Sequence, residues 1–289
     1  MNDLRVGVIG GSQGVGSWFV NFFLANGYKT KFSSLDSKSE FKNNIDLVTH
    51  SDIILLAVPI PSMASTLEEI YPHLNRKILI EVCSVKKFII DKYNSLKTFY
   101  PEVKIEFYSI HPMFNQMLKS LKGQVVIFNY RDNSNGFENE LKEIFLKEKA
   151  KLYELEYLHH DKVMGVVQGL NHFNVFVSAK TFTDLSSDIG KIKDFSSPPY
   201  RIFLIFFTRY VLQDPQLYAD IQMYNESVPE VLKMFKQEVD TLYNLIIEKD
   251  RDGFINYVKK ARGYFEENKE DIAISNHLIE QLGSYISSK

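Results

Sequence analysis

Residues 7–19 read GVIGGSQGVGSWF. The run leaves a short β-branched segment, RVGVIG. It enters GSWFVNFFLANG, whose apolar residues recur at helical spacing and which stops at Gly27. A glycine-rich turn between a first strand and a first helix is the sequence form of a dinucleotide cradle. One glycine allows the tight bend, the next lets backbone approach the pyrophosphate, and the third lets helix and strand pack closely. With Gly11 and Gly16 as the outer glycines, the middle position holds Gln13. Gly10 and Gly14 keep the turn permissive, Ser12 and Val15 complete it, and the following helix start offers free N–H groups to a phosphate. Taken alone, the turn is equally compatible with an ordinary glycine-rich strand-to-helix connection.

The surrounding chain favours the dinucleotide reading. KTKFSS, DIILLAVPI, KILIEVCS, KIEFYSI, QVVIFNY and KLYELEYL are strand candidates, and SMASTLEEIYPHL (opening at Ser62) and GFENELKEIFLKEKA have helical spacing. Such alternation predicts an α/β domain, a Rossmann-like doubly wound parallel sheet with helices on both faces. Val58 and Pro59 close the third strand, at the carboxyl edge where ligands of such sheets bind. An acidic residue for the adenosine ribose belongs about 20 residues past the turn. There the chain reads FSSLDS, which makes Ser34 and Asp36 the candidates. Asp36 favours NAD; the serines, with Lys31 and Lys38 nearby, leave NADP open.

After His159 strand signals nearly vanish and helical spacing takes over. The expected division is a nucleotide-binding domain over residues 1–158 and an all-helical domain over 159–289, whose apolar first helix is suited to a core or a dimer interface. The 289 residues carry a net charge of −2 and no long basic block, which argues against nucleic acid or an anionic membrane as partner. IFLIFF, between Arg201 and Arg209, is far too short to span a bilayer, and the N-terminus lacks a signal-peptide core. The single cysteine, Cys83, rules out an internal disulfide and a multi-cysteine zinc cluster, and fits a cytoplasmic location.

Chemistry concentrates in four stretches. EVCSVKK carries Ser84 and Lys86 just past a strand, and SIHPMFNQ carries His111 just past the next. LHHDKVMGVVQGLNHF spaces His160, Gln168 and His172 by eight and four residues, and RYVLQDPQLYADI opens on Arg209. A histidine at the carboxyl edge of the sheet is placed to take a hydroxyl proton as hydride leaves, and arginine is the natural fork for a carboxylate. Singly, each residue has an ordinary structural explanation: a turn histidine, a core histidine, a surface arginine. Together they point to a site without naming its reaction.

The same segments, GGSQGVG, AVPI, SVK, HPMF, HD, QGLNHF and RYVLQDPQLYADI, resemble the prephenate dehydrogenase family of tyrosine biosynthesis over nearly the whole chain. They are most similar to the dehydrogenase half of the fused chorismate mutase–prephenate dehydrogenases of enteric bacteria. No mutase-like helical region precedes the glycine turn here and no regulatory domain follows, so the chain resembles a free-standing enzyme. The resemblance implies oxidative decarboxylation of prephenate to 4-hydroxyphenylpyruvate, with NAD(P) taking the hydride. It implies that His111 accepts the ring-hydroxyl proton, that Ser84 orients this pair and that Lys86 lies near the same site. It further implies that Arg209 binds a substrate carboxylate, that His172 and Gln168 line the pocket, and that the helical domain forms a homodimer. Two departures stand out: Gln13, and Asn115-Gln116 where relatives usually have glycine. Arogenate and 4-amino-4-deoxyprephenate are alternative substrates that no residue excludes. A β-hydroxyacid dehydrogenase or imine reductase would leave HPMF unexplained, and a non-catalytic NAD(P)-binding relative would leave Ser84, His111 and Arg209 without a task.

Overall fold

The computed structural model describes residues 3–36, 38–115, 117–118, 120–133, 136–185 and 188–288. The chain divides into two compact units, one of Met1–Met164 with Ala219–Glu226, the other of Gly165–Tyr218 with Ser227–Lys289.

The first unit is built on a sheet of β1 (Arg5–Ile9), β2 (Lys29–Ser33), β3 (Ile53–Leu56), β4 (Ile78–Glu81), β5 (Glu106–Pro112), β6 (Val125–Asp132) and β7 (Lys151–Glu154), in the order β2-β1-β3-β4-β5-β6-β7. The six expected strands other than β1 all form, with shorter ends. β1 to β5 are parallel, as the alternating pattern requires, but β6 runs antiparallel to β5, and β7 is parallel to β6. The reversal follows from the connection. The described residues of the connection 113–124 between β5 and β6 form no helix, and the crossover that returns the chain for a parallel neighbour is usually helical.

The connecting helices are α1 (Gly14–Ala25), α2 (Asn44–Thr49), α3 (Ile60–Ile70), α4 (Lys87–Phe99) and α5 (Phe137–Lys147). α3 begins two residues before Ser62, with Pro59 as its N-cap. α2 and α4 extend the sequence expectation; α4 is drawn in by Ile89, Ile90, Tyr93 and Leu96, a helical stripe that is buried. Alternation along the strands sorts the core into two faces. Val8, Leu55, Ile80 and Ile110 meet Phe19 and Phe23 of α1 and Phe145 of α5. Ile54, Leu56, Leu79 and Phe107 meet the α3–α4 side. By the same period of two, Glu81, Ser109 and His111 fall on the α3–α4 side. A β-bulge shifts the β5–β6 register between Ser109 and Ile110, so Asn129 has no opposite number; its Nδ2 donates to the Leu155 carbonyl at 2.9 Å. α6 (Tyr157–Met164) completes this unit with the segment 219–226, where Tyr224 packs on Phe88 of α4.

The second unit opens with a single π-helical stretch, Gly165–Leu170, and continues through α7 (Asn171–Asp184), α8 (Ile189–Asp194), α9 (Pro198–Val211), the start of α10 (Pro215–Tyr224), α11 (Val228–Ile247), α12 (Arg251–Phe265) and α13 (Asp271–Ser287). It is helical throughout its described residues, as expected. A Cβ on Gly169 would lie 2.7 Å from the Val228 side chain, so the missing side chain is what lets α11 approach this stretch.

The glycine turn packs α1 onto β1. A Cβ on Gly16 would lie 2.1 Å from the Gly10 carbonyl oxygen, a backbone atom that cannot move aside. Gly14 differs: its φ is +59°, yet nothing lies within 4 Å of the place its Cβ would take. Gly16→Ala is therefore expected to lower stability by about 1–3 kcal/mol through overpacking. Gly14→Ala is expected to cost about 1–2 kcal/mol, through left-handed backbone strain alone. Urea unfolding of the two variants, monitored by circular dichroism, checks both values.

Candidate active site

The carboxyl edge of the parallel strands gathers the nucleotide-side candidates. Gly10, Gly11, Ser12 and Gln13 follow β1, and Gly14, Val15 and Gly16 form the first turn of α1. Val58 and Pro59 link β3 to α3. Gln13 is the N-cap of α1, with extended backbone (φ −154°) that any residue adopts and no side-chain capping bond. Its side chain is exposed, so the absence of a middle glycine strains nothing. The chain-reversing conformation and the open space above the backbone lie one residue later, at Gly14. The first N–H groups of α1 are thus left to a phosphate. At the end of β2, the Ser34 hydroxyl donates to Asp36 Oδ1 at 2.7 Å, and the Lys38 N–H donates to the same oxygen at 3.0 Å. Ser34, Lys38 and Ser12 together hold the Asp36 carboxyl below its usual value. Asp36 is thereby tied to the glycine turn itself. A left-handed turn with open space over Gly14, an uncapped helix start and a carboxylate beside them fit a dinucleotide with a free ribose.

Past β4 and β5 the edge becomes polar and dry. His111 is buried on β5 and its Nδ1 lies 2.8 Å from His160 Nε2. His160 Nδ1 lies 2.9 Å from Asp161 Oδ1. The Asp161 carboxylate also accepts from the backbone N–H groups of Lys86 (3.0 and 3.2 Å) and Lys87 (2.9 Å), which anchors α6 to the start of α4. Burial first, then the neighbouring His160 and Lys86, pushes the His111 pKa well below the ordinary histidine value. His160 is also lowered, by burial, against the opposing pull of Asp161. Both imidazoles are neutral near pH 7.

Lys86 is fully buried. Its Nζ donates to Glu81 Oε1 at 2.8 Å and to the Ile110 carbonyl at 2.7 Å, and the Ser109 hydroxyl donates to the same Glu81 oxygen. The ammonium thus lies against the strand that carries His111. Ser84 is half-buried in the β4–α4 connection, and among the described residues no hydrogen bond joins it to His111. Cys83 donates its N–H to Glu81 Oε2 at 2.7 Å, and burial pushes its thiol up to about 12. Beyond Pro112, the Met113 N–H bonds the Val125 carbonyl at 2.9 Å and the Phe114 ring sits 4.8 Å from Trp18 of α1. Asn115 Oδ1 accepts from the Met117 N–H at 2.9 Å, closing a local turn, while Gln116 lies outside the described residues.

Gln168, His172 and Arg209 belong to the second unit. The His172 ring stacks edge-on against Tyr218 at 4.7 Å and lies 5.4 Å from Tyr210. Burial lowers its pKa to about 4. His172 Nδ1 and Gln168 Oε1 are buried with no hydrogen-bond partner among the described residues, a cost that a polar ligand would remove. Arg209 lies exposed in the last turn of α9, with no ion pair among the described residues; its charge opposes the rise of the Tyr218 pKa to about 12, which burial and Tyr210 cause. Glu81 carried no signal in the sequence, and His160 and Asp161 stood out there without a role beside His111. The HD pair was visible as a motif, but its contact with His111 spans 49 positions and has no local signature.

Residues 27–154 match the prephenate dehydrogenase nucleotide-binding domain and residues 157–260 the prephenate dehydrogenase dimerization domain. A probable arogenate/prephenate dehydrogenase of Methanocaldococcus jannaschii is 30% identical across 98% of this chain, which spans about two thirds (66%) of that relative's length. The T-protein of Haemophilus influenzae is 28% identical across 96% of this chain and 71% of its own. Among solved structures, prephenate dehydrogenase from A. aeolicus in complex with hydroxyphenyl propionate and NAD+ has the same fold, with a TM-score of 0.71 and 19% identity over 93% of this chain and 99% of that one. With both domains matched in order along one chain, the protein belongs to the prephenate dehydrogenase family of NAD-dependent dehydrogenases.

Proposed function

We propose that the protein oxidatively decarboxylates prephenate to 4-hydroxyphenylpyruvate, with NAD as hydride acceptor. The observation that carries this reading is His111: a buried, neutral imidazole at the carboxyl edge of a dinucleotide-binding sheet, with one ring nitrogen held by His160. Neutrality lets it accept the proton of the ring hydroxyl as hydride leaves the same carbon. Gly14, the α1 start and Asp36 would hold the dinucleotide, which supplies the two-electron acceptor. Arg209 is proposed to grip a substrate carboxylate, and Gln168 and His172 to meet its polar groups, because two of their polar atoms are buried and unsatisfied. Loss of CO2 yields an aromatic ring, so the protein mainly aligns the reacting carbon and receives one proton. Ser84 is proposed to hydrogen-bond substrate and His111 once substrate is present; Lys86 is proposed to act on His111 through β5.

Arogenate is the second reading, favoured by the double name of the Methanocaldococcus jannaschii relative. Homodimerisation is proposed through the helical unit. Helices α11, α12 and α13 bury among them only Val228, while Tyr243, Ile247, Phe265 and Ile272 are all more than 60% exposed. Apolar surface on that scale is characteristic of an interface. Domain roles follow: nucleotide binding by residues 1–158, substrate binding and dimerisation by 159–289, in a cytoplasmic enzyme.

Initial rates of NADH and NADPH formation with prephenate and with arogenate test the proposal. Prephenate with NAD should turn over, and His111→Asn should lower kcat by roughly 100- to 10,000-fold. No turnover of either substrate by folded protein would sink it. A depressed His111 pKa places the acid limb of kcat/KM below the ordinary histidine value of about 6.5, since only the protonated form is inactive. A limb centred at or above 6.5 contradicts the neutral buried base. Sedimentation equilibrium should give twice the 33.6 kDa chain mass.

A further inference from the structure

The bonds around His111 do more than hold it, because they have a direction. Asp161 carries no proton to give when ionised, and its two oxygens already accept from the N–H groups of Lys86 and Lys87. His160 Nδ1, 2.9 Å from Asp161 Oδ1, must therefore be the protonated nitrogen. A neutral imidazole carries one proton, so His160 Nε2 is a lone pair. At 2.8 Å from it, His111 Nδ1 must then donate. That leaves His111 Nε2 as a lone pair, the form a proton acceptor needs.

From this chain we propose that His160 and Asp161 are positioning residues that fix the tautomer of His111, with Nδ1 protonated and Nε2 free to accept the substrate proton. The inference rests on the proposed role of His111. When Nε2 takes the hydroxyl proton, His111 becomes an imidazolium whose Nδ1–H points at His160 Nε2. The positive charge is shared along the pair and faced by the Asp161 carboxylate. With Asp161 ionised and both imidazoles neutral, no other arrangement of these protons satisfies the contacts from Asp161 through His160 to His111. The charged groups around the pair are Asp161, Lys86 and Glu81; Lys86 and Asp161 oppose one another at His160. Lys86 is held by Glu81 at 2.8 Å, which offsets its charge within the cluster, and Asp161 is the carboxylate in line with the pair.

The carboxylate is needed for direction, not bulk. In Asp161→Asn, an oxygen kept at the Oδ2 position accepts from both the Lys87 N–H (2.9 Å) and the Lys86 N–H (3.2 Å), so the amide NH2 faces His160 Nδ1. The polarity of the whole chain then reverses, and His111 Nε2 carries the proton. The test uses the full-length protein with 15N-labelled histidine. In the unmodified protein near pH 7, the 15N shifts should show His111 protonated at Nδ1 and His160 protonated at Nδ1. In Asp161→Asn they should show both protonated at Nε2, with kcat lowered at least about 100-fold and KM within about threefold. Because Asp161 also anchors α4, a second pair guards against misfolding. His160→Gln, whose side-chain oxygen can accept from His111 Nδ1–H, should keep kcat within about tenfold, whereas His160→Leu should lose at least about 100-fold.

An Nε2-protonated His111 in the unmodified protein overturns the proposal. Equal loss of kcat in His160→Gln and His160→Leu, with both folded, overturns it too. The tautomer is read without substrate, so a protein that turned over neither prephenate nor arogenate would refute the proposed reaction and leave the tautomer assignment to the spectra.

Discussion

The constraint on which the candidate site depends is the buried ion pair between Lys86 and Glu81. Neither side chain has any exposure, and the ammonium is 2.8 Å from the carboxylate and 2.7 Å from the Ile110 carbonyl. Burying two charges is costly, and such a pair seldom stabilises a fold more than well-packed apolar residues would. Its effect here is geometric. Glu81 ends β4, Ser109 and Ile110 lie on β5 beside a bulge, and Lys86 leads into α4. One four-carbon side chain therefore fixes the ends of two strands and the start of a helix against each other. His111 is the residue that follows on β5.

Asp161 repeats the device from the other side. Its carboxylate takes the free N–H groups at the start of α4, which any helix must satisfy somehow, and takes His160 as well. One group thus caps a helix and orients a histidine. That economy lowers the cost of burial: each carboxylate oxygen of Glu81 and Asp161 accepts a hydrogen bond.

Much of this was legible in the sequence because it is local. The glycine turn, the strand runs and the placement of His111 at a strand end are written in contiguous residues, and alternation alone puts Glu81, Ser109 and His111 on one face. What was not legible depends on contacts between distant segments. His160 reads as one histidine of a helix until α6 brings it to β5. Lys86 reads as a lysine near substrate until its ammonium turns inward to Glu81. Gln13 reads as a defect in the turn until the backbone shows that the left-handed residues are Gly10 and Gly14 and that Gln13 is extended. The reversal of β6 was hidden too, since strand residues carry no record of direction; the short connection from β5 does.

Cys83 sits inside this arrangement, with its N–H on Glu81 and its thiol held up at about 12 by burial. Only the thiolate reacts, so in the closed protein this sulfur is inert. Any modification must wait until the end of β4 separates from β5 and α4. The chain's one thiol is therefore a built-in clock: its labelling rate counts openings of the edge that carries His111, a local stability distinct from that of the whole molecule.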